Sequence, residues 1–141
     1  MDNIPERRSS SRLTYVTPLN YKVCSKETID KLFNGYTLNV SEAGLLCNIK
    51  EKVAKDDILW LSFDKGTLSV CTEMDRKSLV YQNGVLALVV RVDDKVPEGY
   101  DVGVRFLIRE EQYDSHIYPK VHFLKDNSPQ QDEEEDENAS E

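Results

Sequence analysis

The sequence predicts an all-β fold: a small closed antiparallel β-barrel of six or seven strands with one or two short helices. Three observations carry this. Short apolar runs alternate with polar residues, as in Tyr36 to Ser41 and Asp101 to Leu107. Turn residues recur between the runs, at Asp64-Lys65-Gly66, Asn83-Gly84 and Val96 to Gly99. No strand-helix alternation repeats along the chain, which argues against a parallel α/β sheet. Closing the sheet also removes free edges, a liability for a chain rich in Val and Leu.

The elements follow in order. Tyr15, Val16, Tyr21 and Val23 suggest extended pieces interrupted by Pro18. Ser25 can cap a turn in which Ile29, Leu32 and Phe33 share a face, and Asn34-Gly35 would end it, so 26–33 is expected as a short helix, with a strand and loop equally compatible. Tyr36, Leu38 and Val40 then alternate with Thr37, Asn39 and Ser41, which places Asn39 and Ser41 together on the face opposite the apolar three. Leu45 to Ile49 and Ile58 to Phe63 are compact strands, with further strands expected at 67–72 and 78–82. Val85 to Val92 is the strongest apolar run and is expected at the centre of the sheet. Val102, Val104 and Phe106 share one face of the next strand. Ile108, Gln112, Tyr113 and Ile117 fit one side of a short terminal helix stopped by Pro119, after which Val121 to Leu124 would close the fold.

A length of 141 residues suffices for one domain with a real core. The formal charge of −8 is unevenly spread: eight of the 26 acidic residues fall in 126–141, leaving 18 acidic against 18 basic residues in a neutral body. Segment 126–141 has almost nothing to bury and is expected to be a disordered acidic tail. It either solubilises the protein or competes for a basic surface. Cys24, Cys47 and Cys71 form no CxxC pair and sit beside apolar residues, as buried free thiols of a reducing compartment do. Without an apolar run after the first charges, and without eighteen consecutive apolar residues, the protein is expected to be cytoplasmic, with no membrane insertion.

Catalytic signatures are missing. His116 and His122 have no partner at metal-ligand spacing, and there is no G-x-S-x-G, P-loop or G-x-G-x-x-G motif, so no enzyme is expected. A nucleic-acid surface is not expected either, because bases are matched by acids and Tyr36, Trp60 and Phe63 read as core. Two polar signatures stand out instead: Arg7-Arg8-Ser9-Ser10-Ser11-Arg12, and Asn39-Val40-Ser41-Glu42-Ala43-Gly44. A guanidinium offers a planar fork that engages two phosphate oxygens, or O6 and N7 of guanine, while its face stacks on a purine. Taken singly, each signature is more commonly an exposed basic patch or a turn that satisfies its own backbone.

The pair resembles the PilZ domain family. An Arg-Arg-x-x-x-Arg segment is followed after about 26 residues by Asn-x-Ser-x-x-Gly, in a chain whose strands end in Val102-Gly103-Val104-Arg105-Phe106. The resemblance implies a bacterial receptor for the second messenger cyclic di-GMP, a ligand rather than a cofactor. It implies that Arg8 and Arg12 wrap the ligand, binding phosphate and guanine, with Arg7 auxiliary. It implies that Asn39 addresses the guanine edge, that Ser41 hydrogen-bonds base or phosphate, and that Gly44 lets the backbone turn. The expected organisation is a flexible arginine loop over 1–12, a barrel over 13–125 and the tail. Binding would order the loop and present a new surface to an unidentified output protein. The alternative is a ligand-independent adaptor of the same fold. Ala43 stands where many members have a second glycine, and the acidic tail is outside the family pattern.

Overall fold

A computed structural model describes residues 13–65, 76–94 and 96–126. The arginines at 7, 8 and 12, the strand expected at 67–72, Cys71 and the tail from 127 onward lie outside the described residues.

Eight strands are arranged around a closed barrel: β1 Leu13–Thr14, β2 Pro18–Val23, β3 Phe33–Val40, β4 Gly44–Ile49, β5 Ile58–Phe63, β6 Val80–Tyr81, β7 Gly84–Asp93 and β8 Tyr100–Phe106. The order β3-β2-β5-β7-β8-β4 returns to β3 through the β3–β4 pairing, giving a six-stranded antiparallel barrel, with β1 added on β3 and β6 on β7. As expected, the Val85 run lies at the centre, because β7 pairs with β5, β6 and β8.

Two apolar clusters hold the molecule together. Inside the barrel pack Leu19, Tyr21, Val40, Leu59, Leu61 and Val89, among others. Outside it, Ile58, Trp60, Leu86 and Leu107 pack against Val121, Phe123 and Leu124 of the C-terminal helix, Tyr118–Asp126. Strand β5 therefore has both faces covered, which explains why Ile58-Leu59-Trp60-Leu61 is continuously apolar rather than alternating. Trp60 lies flat on Gly84, where a Cβ would come within 2.4 Å of the indole, and donates its Nε1–H to the Tyr81 carbonyl.

Four expectations are corrected. Residues 26–30 form hydrogen-bonded turns instead of a helix: Ser25 O accepts from Thr28 N and Ile29 N, and the Thr28 hydroxyl donates to Val23 O at 2.6 Å. Phe33 to Tyr36 are needed to pair with β2, so sheet formation overrides the weak helical pattern. Asn34-Gly35 lies within β3, and Gly35 is there because a Cβ would sit 2.5 Å from Asn48 O. The stretch after Ile108 makes only a 3-10 helix, Arg109–Tyr113. Pro119 opens the final helix instead of stopping one, since its missing N–H costs nothing in a first turn. Tyr36, read as core, is 43% exposed, whereas Trp60 and Phe63 are buried.

The last correction has a local cause. A bulge lies between Thr37 and Asn39 in the β3–β4 register, leaving Leu38 without a partner on β4. It shifts the alternation, so Thr37 and Val40 are both fully buried. The Thr37 hydroxyl accepts from Thr17 N at 3.0 Å and donates to Tyr15 O, fixing the link from β1 to β2. Thr37→Val keeps the shape and removes both bonds from the partly buried backbone groups of Tyr15 and Thr17. It is expected to lower stability by about 1–3 kcal/mol in urea unfolding, and Thr37→Ser by less. Burial also pushes the thiols of Cys24 and Cys47 up to about 12. Both stay protonated at pH 8, so iodoacetamide is expected to spare them in the folded protein and modify them in urea, as read by peptide mass spectrometry.

Candidate functional site

The β3–β4 corner is built by its own backbone. Ser41 N donates to Gly44 O at 2.8 Å, and Phe106 N donates to Ala43 O at 2.9 Å, so β8 pins the turn from the side. The Ser41 hydroxyl is buried, accepts from Ala43 N and Gly44 N and donates to Gly44 O, each at 3.2 Å. Its hydrogen-bonding capacity is used by the turn. Gly44 answers to close packing: a Cβ would lie 2.1 Å from Val104 O, and its φ is not positive. Ala43, in place of a second glycine, also has no positive φ.

Asn39 differs from its neighbours. The bulge places it one step before Val40, and its Oδ1 is buried with no hydrogen-bond partner, the single such side-chain atom among the described residues. An orphaned amide oxygen shielded from water costs about 1–3 kcal/mol. Native structures seldom carry that cost without a reason.

Strand register shows what Asn39 faces. Thr14, Asn39, Leu46, Gly103 and Arg91 are successive partners across β1, β3, β4, β8 and β7. Directly opposed residues share a face of the sheet. In the adjoining row, Val40, Leu45, Val104 and Val89 are buried in the barrel. The row of Asn39 and Arg91 therefore faces outward. Gly103 supplies no side chain to it, and the nearest atoms to a Cβ added there are those of the Arg91 side chain, at 3.8 Å. The row thus runs from the Asn39 amide across Leu46 and Gly103 to the Arg91 guanidinium.

Arg91 was not found by reading motifs. It follows the second bulge, between Val89 and Arg91, which breaks the alternation that would have assigned it a face. Its guanidinium is exposed and makes no ion pair among the described residues. Arg105 is already engaged, holding both carboxylate oxygens of Glu111 at 2.9 and 3.0 Å. Of the motif arginines, 7, 8 and 12 lie outside the described residues, but the chain that carries them enters here. Leu13, next in sequence to Arg12, pairs with Val40, and Thr14 pairs with Asn39. The structure thus brings Asn39, Ser41 and Gly44 to one corner, with Leu13 and Thr14 paired beside it.

The sequence matches the family model described as the PilZ domain over residues 6–118. The chain belongs to the PilZ domain family. Solved structures share the architecture at low identity. The Bacillus subtilis inhibitor of motility MotI/DgrA aligns with a TM-score of 0.53 and 13% identity over 86% of this chain. The match takes in 53% of that protein, so this chain spans about half its length. The PilZ domain of CeSA from a cellulose-synthesizing bacterium gives 0.45 and 13%, covering 81% of this chain and 98% of that one. The PilZ domain of Escherichia coli YcgR, solved with c-di-GMP, gives 0.48 and 9%, covering 92% and 97%. No curated relative matches the sequence. PilZ domains are regulatory binding domains. No described helix is long and apolar enough to cross a membrane.

Asn39→Leu removes the orphaned oxygen and keeps roughly the same volume. The free protein is expected to hold or raise its urea midpoint. Gly44→Ala is expected to lower it, since the new methyl meets backbone instead of a movable side chain.

Proposed function

We propose that this PilZ protein is a cytoplasmic receptor for cyclic di-GMP that carries its signal to a partner protein. The observation that supports it most directly is the buried Oδ1 of Asn39, without a hydrogen-bond partner among the described residues, on a row that also holds the exposed guanidinium of Arg91. Guanine presents N–H donors on one edge and the O6 and N7 acceptors on the other. The amide oxygen suits the first, and an arginine fork suits the second. Arg91 lies across Gly103, its Nε and Nη2 3.8 Å from where a Cβ would stand, so its fork can swing from an uncluttered strand onto a base. Arg8 and Arg12 bind the phosphates and stack on the purine, with Arg7 assisting, as the family resemblance implies. Ser41 acts by holding the corner in shape, and Gly44 by letting β4 approach β8.

On this reading binding orders the arginine segment. Charge-assisted bonds to two phosphates and purine stacking offset the entropy of fixing it. The surface formed by segment, ligand and barrel is what the output protein reads.

Calorimetry with cyclic di-GMP, GMP and cyclic di-AMP tests the proposal. Cyclic di-GMP is expected to bind with about −8 to −12 kcal/mol, nanomolar to micromolar, and the other two far more weakly. Arg12→Ala, Asn39→Leu and Arg91→Ala are each expected to weaken binding at least about tenfold, or about 1.4 kcal/mol, and Lys50→Ala to leave it unchanged. Full binding by Arg12→Ala, or none by the wild type, would overturn it. The second outcome would favour the ligand-independent adaptor.

A further inference from the structure

The acidic segment 132–137 is the feature that the proposed receptor function leaves unused. Within 126–141 there are eight carboxylates and no base. The described surface offers an acceptor for them on other strands than those carrying Asn39. Beside the C-terminal helix lies a cleft of about 640 Å³ lined by Lys22 from β2, Lys26 from the following turn and, as a further hydrogen-bonding group, His122 from the helix. Lys22 Nζ stands 5.2 Å from the Trp60 ring centroid, which holds it over the barrel wall. Asp30 is the one carboxylate lining the cleft. None of these four residues makes an ion pair among the described residues.

Chain connectivity brings this cleft within reach of the acidic run. His122 is four residues before Asp126, where the helix ends, so it lies about 6 Å along the axis from that end. Residue 132 is six residues further on, within about 20 Å of extended chain. The acidic run can therefore reach the lysines without crossing the barrel. Tethering also supplies an effective concentration on the order of millimolar, enough for a contact that would be negligible between separate molecules.

We infer that Asp132 to Glu137 dock in the cleft formed by Lys22, Lys26 and His122. The contact is electrostatic and is screened by salt. It holds the polyanion away from the arginine segment, where carboxylates would compete with phosphate. A partner that takes the same cleft must displace it.

The experiment is heteronuclear NMR on the full chain at low salt. In one variant all six acidic residues from 132 to 137 are changed to Asn or Gln; in others Lys26→Gln is made alone and with Lys22→Gln. Neutralising the acidic run is expected to shift the resonances of Lys22, Lys26 and His122. The lysine changes are expected to shift those of 132–137 towards their positions in wild type at high salt. Lys26→Gln leaves the Trp60 contact in place, so its effect does not depend on barrel repacking. Perturbations falling on residues 7–14 and 39–44 would assign the segment to the arginines instead and overturn the inference. Acidic-run resonances unmoved by the lysine changes would also overturn it. Neither result depends on cyclic di-GMP binding.

Discussion

Hydrogen bonding of β3 to β2 along one edge and to β4 along the other closes the sheet, and the remaining structure is arranged around that closure. Strand β3 switches partners along one edge, where Phe33 to Tyr36 pair with β2 and Asn39 and Val40 with β1, while along the other Tyr36, Thr37, Asn39 and Val40 pair with β4. The bulge at Leu38 lies within the change. By adding a residue on one side it turns the strand, buries Thr37 and Val40 inside, and presents Asn39 outward. A regular strand would have turned Thr37 away from the link it secures.

The barrel alone leaves an apolar wall around Ile58, Trp60 and Leu86, and the C-terminal helix covers it. The division of labour follows. One side of the barrel is committed to stability through the helix. The other, across β3, β4, β8 and β7, carries a surface with a glycine at its centre and polar groups at its margins. That surface is thereby separated from the packing that keeps the domain folded, and the β3–β4 corner is tied to β8 through Phe106 N and Ala43 O.

Within the corner, the residues of one short motif differ in how far their hydrogen-bonding capacity is used. Ser41 and Gly44 are occupied by the turn and by the approach of β8, whereas Asn39 retains an unused acceptor. The first two fix the geometry of the corner, and the third carries a desolvation cost that only a hydrogen-bond donor would offset.

Local pattern by itself determined the all-β class, the strands 58–63 and 100–106, the central place of the Val85 run, and the PilZ signatures with Asn39, Ser41 and Gly44. These are legible because period-two alternation, β-branched runs and turn residues act over a few neighbours. Tertiary structure decided the rest. The segment 26–33 lost its helix to pairing with β2, and Pro119 became a helix start because the barrel wall needed a cover. Arg91 joined Asn39 only through the register of four strands and two bulges, since which residues lie opposite one another is set by partners distant in sequence.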